Sequence, residues 1–118
     1  IIFSSIQILA EDHEYEKWSN FPLERDKLLN LINNYKDNTL LFSGDRHRAG
    51  IYKKNNLFEI TASSMNKPGS SFVETDKYLI GETYPQENFV LMEVFEKTIY
   101  VGIKDIYGNT LNSISLNY

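Results

Sequence analysis

The chain belongs to the mixed α/β class, rich in strands with one clear helix, and three observations predict this. Leu28, Leu29, Ile32 and Tyr35 recur at helical spacing behind a proline suited to a first helical turn. Leu40-Leu41-Phe42 is a wholly apolar run of strand length, the pattern of a strand covered on both faces. Residues 89–94, 98–104 and 110–116 are strand-like segments separated by short turn sequences, as antiparallel strands are. At 118 residues, 42% hydrophobic and 14% aromatic, the chain has ample material for a packed core.

Taken in order, residues 1–9 read as an apolar, β-branched strand broken by Ser4, Ser5 and Gln7, polar groups that must find partners. Residues 11–20 form a charged loop whose Trp18, the only tryptophan, anchors it against the helix. The helix spans about 22–35, with Glu24 near its start and Lys36 near its end complementing the helix dipole. Glu24 and Arg25 share a helical turn and read as structural, paired with the loop before them. Asp37-Asn38 supplies a turn, and residues 39–43 make the buried central strand. Residues 49–53 and 57–63 pair through a connection at 53–56. Residues 64–87, which hold Pro68, Gly69, Gly81 and Pro85, have no period and read as a long loop, either a lid or disordered. In the closing strands Ile99, Val101 and Ile103 share one face, which is core; Glu96-Lys97 makes one turn and residues 105–109, with Gly108, another.

The segment Ser43-Gly44-Asp45-Arg46-His47 carries the chemistry. A glycine at a strand end permits a sharp turn, leaving Asp45 and His47 on a loop where binding groups tend to sit. A carboxylate oxygen and an imidazole nitrogen are suitable donors to a first-row divalent metal. The bland alternatives are an aspartate capping its own turn and a loop histidine that only titrates. Arg46 and Arg48 are either a solvated cluster or a source of guanidinium charge for a phosphate. His13 lies in Glu11-Asp12-His13-Glu14, where acidic neighbours raise its pKa; its bland reading is an exposed loop histidine. Ser63-Ser64 has no nucleophile elbow around it, and no glycine-rich phosphate loop or dinucleotide fingerprint is present.

Three blocks extend this motif: Ser4-Ser5-Ile6-Gln7-Ile8 followed by Glu16-Lys17-Trp18-Ser19-Asn20-Phe21-Pro22-Leu23-Glu24-Arg25, then Ser43-Gly44-Asp45-Arg46-His47, then Leu57-Phe58-Glu59-Ile60-Thr61-Ala62-Ser63-Ser64-Met65. In order and spacing they resemble the C-terminal part of the catalytic domain in the PhoD-like alkaline phosphatase and phosphodiesterase family, within the metallophosphatase superfamily. The likeness runs over most of residues 1–65, and the final strands are similar to the family's closing strands. The resemblance implies the β-rich half of an αββα sandwich, with residues 1–118 a C-terminal fragment whose N-terminal half is absent. It implies metal-dependent hydrolysis of phosphate mono- or diesters by the full-length parent, the fragment alone being inactive. His47 is then a metal ligand. Asp45 stands where the superfamily often has histidine, so it is either a ligand or a group orienting one. His13 is then a contact to substrate phosphate.

Two metals close together supply hydroxide and charge compensation for phosphoester hydrolysis, but they need more ligands than this chain's two histidines and nearby carboxylates provide. The remaining ligands are expected upstream, and iron, calcium, zinc and manganese all stay open. The alternative is a non-enzymatic β-rich binding or interaction domain in which residues 64–87 form the contact loop. A formal net charge of −4 argues against a nucleic-acid surface. Absent cysteines exclude disulfides and thiolate metal sites. No run approaches the ~18 apolar residues of a membrane helix. A signal peptide would lie upstream of Ile1, and the family resemblance favours an exported protein.

Overall fold

The computed structural model describes residues 1–35 and 39–118; the Lys36 dipole contact and the Asp37-Asn38 turn lie outside them. The elements run β1 (Ile2–Ser4), a 3-10 turn (Trp18–Asn20), α1 (Pro22–Asn33), β2 (Leu40–Ser43), β3 (Ala49–Lys54), β4 (Leu57–Ala62), β5 (Leu79–Tyr84), β6 (Asn88–Val94), β7 (Thr98–Asp105) and β8 (Thr110–Asn117). They form a five-stranded sheet in the order β1-β2-β4-β3-β5 and a three-stranded sheet β6-β7-β8. β1, β2 and β4 are parallel, and β3 runs antiparallel to both β4 and β5. The second sheet is an antiparallel meander. The class is mixed α/β and strand-rich, with one α-helix among the described residues, as the sequence predicts, and the two sheets are packed against each other.

Strand alternation explains the layers. Leu41 of β2 turns to one face and packs with Ile8, Leu9, Ala10, Ile32, Tyr52 and Leu57 beneath α1. Leu40 and Phe42 turn to the other and meet Ala49, Ile51 and Ile60, with Val101 and Ile103 arriving from β7. β2 is therefore apolar throughout because both its faces are covered, and each such side chain contributes about 1.5–3 kcal/mol by leaving water.

Four expectations change. The first strand stops at Ser4: residues 8–10 leave the sheet and bury under α1, and the backbone N–H groups of Ile8 and Leu9 bond to the Glu59 carboxylate instead of a neighbouring strand. Tyr35 lies past the end of α1 and is exposed. The segment 64–87 contains a strand, β5, whose alternation is interrupted by Gly81 at φ 78° and by a register shift against β3. That interruption hides its period. The sharp turn after β2 does not use Gly44; positive φ falls on Asp45 (68°) and His47 (50°).

Candidate functional site

Parallel strands point their carboxyl ends the same way, and crevices there are the usual ligand sites of α/β sheets. β1, β2 and β4 end at Ser4, Ser43 and Ala62, so the segments 5–17, 44–48 and 63–78 leave from one edge. Every candidate residue named from the sequence lies on these segments.

Asp45 and His47 are exposed, whereas Arg46 and Arg48 between and beyond them are buried. The left-handed backbone at positions 45 and 47 produces this alternation. It costs on the order of 1 kcal/mol for a residue with a side chain, less for aspartate than for histidine. Both outward side chains are free of hydrogen bonds and ion pairs with other described residues. The arginines hold the strain in place: both ion-pair with Glu74, Arg48 Nε lying 3.7 Å from Oε2. Arg48 also donates to the Phe72 carbonyl at 2.5 Å. The Arg46 guanidinium lies 4.5 Å over the Tyr15 ring. Tyr15, Arg46, Arg48 and Glu74, with Glu16, Gly69 and Ser70, line a cleft of about 300 Å³ that includes Asp45 and His47. A Cβ on Gly69 would sit 2.5 Å from the His47 carbonyl oxygen, so only glycine lets the 64–78 segment pass this close. The arginine cluster is thus neither solvated nor free: it straps residues 72–74 across the loop.

A second clamp joins 64–78 to the 5–17 loop. Asp76 accepts from the Glu11 and Asp12 amides at 2.7 and 2.9 Å, and Asp12 accepts from the Lys77 amide at 2.8 Å. Glu11 pairs with Arg25 at 2.8 Å and with Lys77. Burial pushes the Glu11 carboxyl up, but those two hydrogen bonds and charges outweigh it and bring the pKa down to about 2.

His13 is half-buried beside the strap and lines an adjoining cleft with Asp12, Glu14, Tyr15, Phe72, Glu74 and Thr75. Its Nε2 meets the Gln7 side-chain oxygen at 2.8 Å, and its Nδ1 accepts the Tyr15 amide at 3.2 Å. The expectation that acidic neighbours raise its pKa is overturned. Burial, then the Arg46 and Lys17 charges, lower it to about 4, against the opposite pull of Glu74 and Asp76. Gln7 and Ser4 find their partners inside the chain: Gln7 donates to Thr61 at 2.9 Å, and Ser4 donates to the Ile6 carbonyl and accepts from Trp18 Nε1. Trp18 packs against the core beneath α1, as expected of an anchor.

The structure brings Asp45 and His47 into one cleft and His13 into its neighbour, with Tyr15 and Glu74 shared between the two. Among the described residues no three His, Asp or Glu side chains are grouped to hold a metal ion. Asp45 and His47 offer a carboxylate and an imidazole, donor types that suit a divalent metal, and a metal site built on them would need further ligands. Sequence reading missed Glu74, which acts on Arg46 across 28 positions; Gln7, marked in the sequence as a polar group needing a partner, finds one 54 positions away in Thr61.

No protein-family model and no curated protein matches the sequence. Among solved structures the chain is similar to GAP50, the anchor in the inner membrane complex of Plasmodium, with 17% identity over 98% of this chain and a TM-score of 0.77. It spans 36% of the length of that protein. It is also similar to a predicted phosphoesterase from Streptococcus pneumoniae (10% identity, 84% of this chain, 49% of that one, TM-score 0.49). A third is Vps29 from Entamoeba histolytica (13% identity, 78% and 46%, TM-score 0.44). At these identities the likeness is one of fold. No helix among the described residues is long and apolar enough to cross a membrane.

Proposed function

We propose that this chain is the C-terminal part of a PhoD-like, metal-dependent phosphoesterase, and that Asp45 and His47 are two ligands of its metal centre. One observation carries the reading: two unpartnered, exposed donors are held in left-handed backbone, at the carboxyl ends of three parallel strands, by buried arginines bound to Glu74. The three-block resemblance supports the same assignment. The other ligands come from a segment outside these 118 residues. A pair of metal ions supplies hydroxide at neutral pH and charge compensation on phosphoryl oxygens. The chain's own part is to orient Asp45 and His47 and to wall the cleft with Tyr15 and the 69–74 strap. Arg46 and Arg48 stay with Glu74 and position the loop, while His13 meets substrate from the neighbouring cleft.

A second reading, a non-catalytic interaction domain, is favoured by the fold shared with a protein described as an anchor. The intact protein decides between them. It should hydrolyse an aryl phosphate or aryl phosphodiester, lose that activity on dialysis against a chelator and regain it with added metal. Hydrolysis that survives prolonged chelation overturns the metal centre, and no hydrolysis across iron, calcium, zinc and manganese gives the site to the interaction reading.

A further inference from the structure

A line of buried polar groups runs from the centre of the sheet to the candidate site. Glu59 is fully buried on the helix side of β4, and its two oxygens accept the Ile8 and Leu9 amides at 2.8 and 2.6 Å. Ser43, buried on the neighbouring strand β2, lies with its hydroxyl 2.9 Å from Thr61 Oγ1. Thr61 Oγ1 in turn accepts from the Gln7 side-chain nitrogen at 2.9 Å. That orientation turns the Gln7 oxygen to His13 Nε2 at 2.8 Å, and an oxygen there demands an N–H. The far end agrees independently, because Nδ1 accepts the Tyr15 amide and so carries no proton.

We propose that Gln7 is a positioning residue of the candidate site: held by Thr61, it fixes His13 as its uncharged Nε2–H tautomer, which holds Tyr15 against Arg46 in the wall of the Asp45–His47 cleft. The neutral ring follows from what surrounds it. Arg46 and Lys17 oppose a positive charge there, the Lys17 ammonium donating to the His13 carbonyl itself. Glu74 and Asp76 from the strap favour it, and Asp12 and Glu14 flank the ring on its own loop without pairing to it. Each link strengthens the next by polarisation, and a broken link leaves a buried group unsatisfied. The placement of His13 in a catalytic site rests on the phosphoesterase reading; the tautomer lock does not.

The test is ring nitrogen NMR on the intact, histidine-labelled protein, with His13 assigned by comparison with His13→Gln. In the unsubstituted protein His13 shows one tautomer at neutral pH, with the proton on Nε2, and Thr61→Ser preserves it. Thr61→Val cuts the line while keeping the volume, and the Nδ1–H form appears beside the Nε2–H form. Gln7→Glu places a carboxylate against Nε2 and moves the His13 titration up by one pH unit or more. In the phosphoesterase assay Thr61→Val lowers kcat/KM and Thr61→Ser restores it. A proton on Nδ1 or a tautomer mixture in the unsubstituted protein overturns the proposal, as does a Thr61→Val protein with an unchanged ring spectrum. An intact protein that hydrolyses no phosphate ester but shows the locked tautomer removes the phosphoesterase reading and leaves the positioning chain standing.

Discussion

Glu59 and Arg25 grip the same two residues from opposite sides: Glu59 accepts the N–H groups of Ile8 and Leu9, and Arg25 donates to their carbonyls at 2.7 and 2.9 Å. Residues 8 and 9 run between the sheet and α1 with no strand beside them, and these two side chains supply the hydrogen bonds a ladder would have given. A buried carboxylate and a buried guanidinium are each expensive alone, and here one dipolar segment separates and compensates both.

Removing either partner should therefore cost more than an ordinary hydrogen bond. Glu59→Gln turns an amide N–H toward a backbone N–H and should destabilise by about 2–4 kcal/mol, and Arg25→Met by a similar amount. Because both act on one segment, the double variant should fall short of the sum by at least about 0.5 kcal/mol. Urea denaturation of the four proteins measures this. Strict additivity would mean that the two residues hold residues 8 and 9 independently.

The Glu74 strap gives a local prediction. Glu74→Gln leaves the Arg46 and Arg48 guanidiniums sharing a neutral amide, while the Asp76 clamp and β5 stay in place. Amide exchange should speed up in residues 70–76 and around 44–48, with the β6–β8 meander unchanged. Uniform acceleration over both sheets would show instead that the strap belongs to the global fold.

Much of the fold could be read in the sequence because it depends on local pattern. α1, the hairpin of β3 and β4, and the closing meander lie within about two residues of their expected bounds, since apolar spacing and short turns mark them. β1 beyond Ser4 and β5 could not be read so. The first depends on Glu59 reaching across 50 positions to Leu9, and the second has a glycine where alternation should continue. At the site, the loop that carries Asp45 and His47 was visible as strand, glycine and donors. What orients it was not, because Glu74 and Gly69 meet that loop only in three dimensions.

The depressed pKa of His13 has a pH signature. Its value falls from the usual 6.5 to about 4 on folding, so between those values the unfolded chain binds more protons than the native one. Native stability must then decline as the pH falls from 6.5 toward 4, and this contribution levels off below 4. His13→Gln retains an N–H donor for Gln7 and cannot titrate. Its urea midpoint should change less than that of the unsubstituted protein between pH 7 and pH 4. The comparison separates His13 from Glu11, whose pKa of about 2 places its own loss of stability between about pH 4.5 and 2. Parallel pH profiles in the two proteins would mean that His13 titrates alike when folded and unfolded.

The metal assignment predicts that Asp45 and His47 behave differently from the residues beneath them. Both side chains are exposed and make no internal contact that holds the fold, so His47→Ala and Asp45→Asn in the intact protein should leave the melting temperature nearly unchanged. If His47 is a ligand, its loss should empty at least one metal position and lower kcat by about a hundredfold or more, as removal of a direct charge-stabilising group does. Asp45→Asn separates the two roles left open for that residue. A ligand should give losses of the same order as His47, together with reduced metal content. A group that only orients a ligand should cost about 10–100-fold in affinity or activity. Metal analysis beside steady-state kinetics reads both variants. Full metal occupancy and unchanged turnover in His47→Ala would remove the metal centre from this loop, and the exposed pair would then be contact groups of an interaction surface.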